Sequence, residues 1–184
     1  MTNHILPPHG GYQTLLSFQK SQIVYDATVK FCADLLDRRD RTVAQMVQAA
    51  RSGKQNIVEG SQASGTSKEM ELKLTSVARA SLEELLTDYR DFLRTRGFEE
   101  WPKDHPHVKR LRELNRLPNA NYATFKKAVE HPTPSIRANA IIGLIKVTNY
   151  LLDQQIRQLE QAFIQEGGLR ERMTRARLQM RATQ

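Results

Sequence analysis

Residues 41–74 read RTVAQMVQAARSGKQNIVEGSQASGTSKEMELKL, and this stretch decides the fold class. Its first part carries apolar side chains at helical spacing, which predicts an amphipathic helix over about residues 41–62: Val43, Met46, Val47, Ala50, Ile57 and Val58. Thr66 and Glu69 then match a T-x-x-E capping box, in which each side chain accepts a hydrogen bond from the other residue's backbone amide. The stretch therefore predicts a helical hairpin whose second helix begins at about residue 67.

The flanking sequence extends this hairpin to four long helices. A stripe from Leu16 to Leu35 predicts a helix over about residues 12–37, and a three-residue charged turn joins it to the next helix. The third helix is predicted over residues 67–96, with Met70 and Val77 in its apolar stripe and Gly97 as its C′ glycine. A fourth is predicted over residues 136–166, with Ser135 as its N-cap. Short turns favour antiparallel neighbours, so we predict an all-α, antiparallel up-and-down four-helix bundle over residues 1–168.

Two segments do not belong to the four helices, and both are basic. The formal net charge of the chain is +8, yet most of its length is nearly neutral. Residues 103–127 contain seven Lys or Arg against two Asp or Glu, and residues 167–184 contain five against one. The first lies in a proline-containing insertion, residues 98–135, with two helix-compatible pieces, HVKRLRELNRL and NYATFKKAVE. The second is a basic C-terminal tail, residues 169–184. Acidic partners are therefore expected at these two segments.

Known catalytic and metal-binding patterns do not occur in the sequence. Di-metal bundles need Glu-x-x-His pairs, and none is present; all five histidines lie in the N-terminal segment or the insertion. Cys32 has no nearby histidine to generate a thiolate, which favours a core or boundary cysteine over a nucleophile. Phosphate-binding glycine loops are absent as well. We therefore predict no catalytic residue, no metal, no cofactor and no enzymatic activity.

Cellular location is predicted from what the sequence does not contain. The single cysteine excludes a disulfide framework within the chain. The N-terminus has no basic segment followed by an apolar run, and no window is apolar enough to span a membrane. A cytoplasmic protein without a membrane partner is expected.

The end of the second helix contains a polar motif that calls for a partner. Asn56, Glu59 and Gly60 stand in its last turns, where a carboxylate opposes the helix dipole. One interpretation is an ordinary helix C-terminus, with Gly60 left-handed and the two polar side chains solvated. The other is that the Asn56 amide and the Glu59 carboxylate bind a neighbouring helix or subunit. Ser81, a small residue in the stripe of the third helix, allows close approach either within the bundle or between subunits.

Residues of this hairpin resemble a known family. In the second helix they are Gln45, Ala49, Ala50, Ser52, Asn56, Ile57, Glu59 and Gly60, and in the third Ala78, Arg79, Ser81, Leu82, Glu84 and Leu85. This set is similar to the bacterial four-helix-bundle family first found in intervening sequences of large-subunit ribosomal RNA genes. The same superfamily includes the accessory variability determinant proteins that assist reverse transcriptases. The resemblance implies a cyclic pentamer and makes Asn56, Glu59 and Gly60 the clasp of the hairpin.

A second block, residues 138–177, is similar to the C-terminal extension of a subgroup with a four-helix-bundle suffix. The chain departs from the family pattern in the hairpin: Val47-Gln48 stands where much of the family has Arg-Arg, and Gly53-Lys54 stands where it has Ile-Pro. These changes remove two positive charges and restore one. The insertion also replaces a short family loop. The expected nucleic-acid surface therefore shifts towards the two basic segments.

The leading prediction is a non-enzymatic, homo-oligomeric bundle that binds nucleic-acid backbones, RNA in preference to DNA, as an accessory to a reverse transcriptase or another nucleoprotein complex. Candidate contacts are Lys54, Lys68, Lys73, Arg79, Lys109, Arg110, Arg112, Arg116, Arg170, Arg172, Arg175 and Arg177. In the tail, arginines fall on one helical face and apolar residues on another, which predicts that the tail folds as an amphipathic helix on binding. The alternative is that the tail is simply solvated. The competing hypothesis is a scaffold whose basic segments dock an acidic, operon-encoded protein without contacting nucleic acid.

Overall fold

The structure, a computed structural model, describes residues 10–182 and contains seven α-helices there. Four are long: α1 Leu16–Leu35, α2 Arg41–Ala63, α3 Lys68–Thr95 and α6 Pro134–Glu166. The insertion holds α4 Pro106–Arg116 and α5 Tyr122–Val129, and the tail holds α7 Leu169–Ala182. A 3-10 turn, Tyr12–Thr14, precedes α1. No β-strand occurs between residues 10 and 182, and the predicted all-α class is confirmed.

The four long helices form the predicted antiparallel bundle. Each of α1 and α3 packs against both α2 and α6, so the helices occupy the corners of a square. Tyr89 of α3 lies fully buried in the core, with its ring edge-on to Phe31 of α1 at a centroid distance of 5.0 Å. Its hydroxyl donates a hydrogen bond of 3.1 Å to Thr28 Oγ1. Burial raises the pKa of Tyr89 well above its usual value.

Three residues assigned to apolar stripes are exposed instead. Leu16 at the start of α1 is 58% exposed, and Met70 and Val77 in α3 are 45% and 40% exposed. Helical periodicity places each of them near the inner face, but burial also requires a neighbouring helix at that height. Their assignment to the core was therefore wrong.

Some predicted helix ends move because another residue provides the cap. Ser67, not Thr66, is the N-cap of α3: its Oγ accepts from Met70 N at 3.1 Å, while the Thr66 hydroxyl donates to Ala63 O. The predicted box between Thr66 and Glu69 is therefore wrong. Ser135 is likewise not a cap, because α6 begins at Pro134, whose missing N–H suits the first helical position.

Gly97 ends α3 as predicted. Its φ of 71° is in the left-handed region, and Phe98 N donates to Leu93 O at 2.9 Å while Gly97 N donates to Arg94 O at 3.2 Å. These two bonds form a Schellman motif, which requires a residue tolerant of positive φ at this position.

The insertion covers one side of the bundle. Leu111 of α4 and Phe125 and Val129 of α5 are buried, and both helices pack against α6. Asn139 of α6 attaches the connecting segment, since its Oδ1 accepts from Trp101 N at 2.7 Å and its Nδ2 donates to Glu99 O at 3.0 Å. The insertion is therefore a packed second layer with a defined position on α6.

A buried arginine joins this layer to the bundle. Arg137 is 4% exposed; its Nε donates to Val129 O at 2.9 Å and its Nη1 lies 2.9 Å from Asp34 Oδ2 in α1. Asp34 keeps 31% of its side chain exposed, so its loss would leave the guanidinium, rather than a carboxylate, as the buried charge without its partner. The contact ties α5, α6 and α1 at one corner.

Candidate nucleic-acid interface

The helical hairpin is closed by small residues. Gly60 of α2 is buried and helical, and a Cβ there would lie 3.4 Å from both Glu71 O and Leu74 Cβ of α3. Gly60 therefore does not adopt the left-handed conformation of a helix end, and α2 continues to Ala63. About two helical turns earlier in α2, Ser52 Oγ lies 2.9 Å from Ser81 Oγ of α3. Small residues thus allow α2 and α3 to approach each other closely at two positions along the hairpin.

The two polar side chains of the motif behave differently from each other. Asn56 is half-buried and its Nδ2 donates to Ser52 O at 2.9 Å and to Ser52 Oγ at 3.1 Å, so it reaches α3 only through the Ser52 and Ser81 hydroxyls. Glu59 is exposed and has no hydrogen bond or ion pair within residues 10–182. The Glu59 carboxylate therefore has no partner on a neighbouring helix of the same chain, and its binding to a neighbouring subunit stays a prediction.

Most of the bundle's candidate cations are occupied by intramolecular contacts. Arg79 binds two carboxylates, Glu83 Oε2 at 2.7 Å and Asp153 Oδ1 of α6 at 3.1 Å. Lys68 lies 3.3 Å from Glu71 Oε2. These pairs neutralise the charge that a phosphate would otherwise meet.

The other two bundle cations do not join them in one surface. Lys54 stands over the Tyr25 ring of α1 at 4.2 Å, a cation–π contact on the side of the bundle opposite to Arg79 and α6. Lys73 of α3 is exposed. The four bundle candidates are therefore dispersed over the bundle.

The cations of α4 are exposed and mostly unpaired. Pro106 occupies the first turn of α4, and Leu111 faces α6, which leaves the charged side chains on the outer side. Arg110 lies 2.9 Å from Glu113 Oε2. Three others are exposed and have no carboxylate within ion-pair distance among the side chains that the structure describes: Lys109, Arg112 and Arg116.

The tail forms a helix, α7, without a bound partner. Gly167, with φ of 73°, ends α6, and the Glu171 carboxylate then accepts a hydrogen bond from Gly168 N at the start of α7. That carboxylate is the tail's single acidic group, and it lies at the positive end of the helix dipole. Three predicted contacts are exposed on α7: Arg170, Arg175 and Arg177. Arg172 also lies in α7, but its side chain is outside the described ones.

The two basic surfaces lie far apart along α6. Leu111 Cδ1 of α4 would be 3.2 Å from a Cβ at Gly143, and α6 ends 23 residues later at Glu166. At 1.5 Å per residue, about 35 Å of helix separates them. The start of α7 is therefore well removed from the place where α4 packs on α6, and a nucleic acid that contacts both segments is expected to extend over a comparable length.

Several functional candidates were missed by sequence reasoning. Arg90, Lys103 and Lys146 converge with Arg112 around a cavity between α4 and α6, although they come from three separate segments. The sequence shows that these residues are charged, but their spacing along the chain does not indicate that they lie close together. Between them, Glu100 pairs with Lys146 and, at 2.9 Å, with Arg90. Burial by itself raises the pKa of Glu100. The hydrogen bonds from Lys146 and Arg90 together lower this pKa by more than burial raises it, so it lies below its usual value.

The described structure bears on the cysteine and on possible metal ligands. Cys32 is buried, and burial together with Asp88 and Asp40 raises the pKa of its thiol to about 11. No group of three or more metal-ligating side chains occurs within residues 10–182; His4 and His9 lie outside the described residues. In the same part of the chain, no helix is long and apolar enough to cross a membrane.

Comparisons of this chain with protein-family models, with curated proteins and with solved structures find no match. The resemblance noted in the hairpin therefore stays a prediction, carried by the residues named for it.

Proposed function

We propose that the chain binds nucleic-acid backbones, RNA in preference to DNA, as a non-enzymatic helical bundle. One observation carries the proposal: three of the four candidate cations of the bundle, Lys54, Lys68 and Arg79, are engaged within the fold, whereas the candidates of α4 and α7 with described side chains are exposed. Arg79 and Lys68 each form ion pairs with carboxylates of the same chain. Among the candidate contacts, free positive charge for a phosphate backbone is therefore concentrated in α4 and α7.

The proposed binding is not sequence-specific. The tail contains no aromatic residue, so α7 offers no platform on which bases could stack. Arginine and lysine contacts to phosphates release counterions and carry no sequence information. Affinity is thus expected to depend steeply on salt and weakly on base composition.

The hairpin resemblance supports the rest of the proposal, a homo-oligomer that serves a reverse transcriptase or another nucleoprotein complex. Exposed apolar side chains at the end of α6 favour self-association, since Ile164 is 80% exposed and Phe163 is 39% exposed. Leu178 of α7 is 60% exposed as well. The resemblance makes the cyclic pentamer the expected assembly. Several copies in a ring would bring their basic surfaces to one polymer and increase its affinity.

The test is a fluorescence anisotropy titration of mixed-sequence single-stranded RNA with the purified full chain. Six exposed cations, Lys109, Arg112, Arg116, Arg170, Arg175 and Arg177, give an expected slope of about −4 for log K against log salt concentration. Between about 50 and 200 mM salt, this slope weakens binding about 300-fold. An equal titration with duplex DNA measures the preference for RNA.

Two triple variants remove the same amount of charge and distinguish the loss of a specific binding surface from a general decrease in net positive charge. K109Q/R112Q/R116Q removes the three α4 cations that have no ion-pair partner among the described side chains and is expected to reduce the slope to about −2. R38Q/R39Q/R41Q removes three exposed cations at the turn between α1 and α2 and is expected to leave it near −4. Deletion of residues 169–184 removes the other half of the surface. Equal losses in the two triple variants would contradict the proposed surface.

Light scattering on the same sample measures the assembly. A monomer that retains no nucleic acid, together with co-purification of a single acidic protein, would instead favour the scaffold hypothesis.

A further inference from the structure

A cavity of about 660 Å³ lies between α4, α6 and the end of α3, on the outer side of the bundle. α4 comes close to α6 at Gly143, where a Cβ would lie 3.2 Å from Leu111 Cδ1. On either side of this contact, α4 and α6 leave room between them. The volume is in the range of pockets that hold drug-sized molecules, about 300–1,000 Å³.

The interior of the cavity is apolar and partly aromatic. Its apolar lining consists of Trp101, Val108, Leu111, Ile142, Val147 and Tyr150. The Trp101 indole stacks on the His105 ring at 4.7 Å with an interplanar angle of 3°, and its backbone is held by Asn139. Tyr150 is 62% exposed at the rim. A flat apolar molecule therefore finds two aromatic walls, one of them held in place by two contacts.

The polar part of the lining is strongly cationic. Arg90, Lys103, Arg112 and Lys146 line the cavity, and the nearest carboxylate, Glu100, pairs with Arg90 and Lys146. Neither Lys103 nor Arg112 has an ion-pair partner among the described side chains. An excess of positive charge beside an apolar interior selects an amphipathic anion.

We propose that this cavity binds a small organic anion with a flat, apolar body, namely an aromatic carboxylate, sulfonate or phosphate ester. The anionic group is placed at Arg112 and Lys103, and the rings lie between Trp101 and Tyr150. Asn115 also lines the cavity, and its buried carboxamide oxygen has no donor in the described structure, which suits a ligand with an N–H or O–H group. The arginine-rich α7 of a second copy is excluded by its charge. This inference does not depend on the proposed nucleic-acid function.

The test uses two probes that share the same rings. Anilinonaphthalene sulfonate is anionic, and phenylnaphthylamine is its uncharged analogue. Fluorescence titration of the full chain is expected to give one saturable site for the sulfonate and at least about tenfold weaker binding of the neutral probe. Comparable affinities for the two probes would overturn the charge selection.

Variants then locate the site. R112E is expected to weaken sulfonate binding at least about tenfold and to change the neutral probe little, because it removes the proposed anion contact. R116E makes the same charge change on the same helix outside the cavity, and Y150A removes an aromatic wall without changing charge. Y150A should weaken both probes. Equal losses in R112E and R116E, or unchanged binding in Y150A with native circular dichroism, would overturn the proposal.

Discussion

Two glycines of α2 are expected to respond in opposite directions to the same substitution. Gly53 and Gly60 are both buried against α3. A Cβ at Gly53 would lie 2.6 Å from Leu82 Cδ2 and 2.7 Å from Leu82 Cγ, whereas the nearest atoms to a Cβ at Gly60 are 3.4 Å away. The first is a severe overlap, and the second is an ordinary van der Waals contact.

The expected magnitudes follow from these distances. Alanine stabilises a helix interior relative to glycine by about 1 kcal/mol, so Gly60→Ala should raise the free energy of unfolding by about 0.5–1 kcal/mol. At Gly53 the same gain is opposed by overpacking, which costs about 1–3 kcal/mol when a core side chain must leave its rotamer. Leu82 is fully buried within the core cluster, so its side chain cannot move out into solvent. Gly53→Ala should therefore lower the free energy of unfolding by up to about 2 kcal/mol.

Urea unfolding followed by far-ultraviolet circular dichroism measures both effects. The midpoints of the two variants should lie on opposite sides of the wild-type midpoint, with unchanged slopes. Each variant is the control for the other, since both place a methyl group in the same helix. If Gly53→Ala unfolds at the same or a higher urea concentration than Gly60→Ala, the steric argument fails.

A double variant isolates the overlap itself. Leu82→Val shortens the side chain that a Cβ at position 53 would meet. By itself this change also lowers the free energy of unfolding, because it removes a buried methylene group. If the overlap is real, Gly53→Ala and Leu82→Val together should be less destabilising than the sum of the two single changes, by about 0.5–2 kcal/mol. Strict additivity would show that Leu82 is not the residue displaced.

Three further predictions concern single side chains. Ser67→Ala should lower stability by about 1 kcal/mol through loss of the α3 cap, whereas Thr66→Ala should change it by less than about 0.5 kcal/mol in the same urea assay. The Cys32 thiol, with its pKa raised to about 11, should react with a disulfide reagent at pH 8 only after unfolding; rapid reaction in native buffer would contradict its burial. Burial lowers the pKa of Lys20 from its usual value of 10.5, so the charged form disfavours folding and the Lys20 contribution to stability should rise as the pH approaches 10.5. Because the raised pKa of Cys32 acts in the opposite direction above about pH 9, the comparison is with Lys20→Met: the variant should be more stable than wild type at neutral pH, and its advantage in urea midpoint should shrink towards pH 10.5.

The helices were predictable because their causes are local. A stripe repeating every three or four residues, a glycine tolerant of positive φ at Gly97 and short turns are properties of neighbouring residues. Helix ends were predicted less well where two adjacent residues offered the same chemistry. Thr66 and Ser67 both carry a hydroxyl, and Ser67 is the cap because it is the residue with extended backbone, φ −147° and ψ 104°.

The sequence by itself determined the four amphipathic helices, their antiparallel order and the two segments that hold the excess positive charge. Only the tertiary structure decided which charges are free. Arg79 is neutralised by Asp153, which is 74 residues away, and no spacing along the chain reveals that pair. Likewise, the cavity at Gly143 takes its walls from three separate segments. Helix formation depends on residues within a turn or two, whereas pairing of charges and the shape of a cavity depend on distances between helices, which packing alone sets.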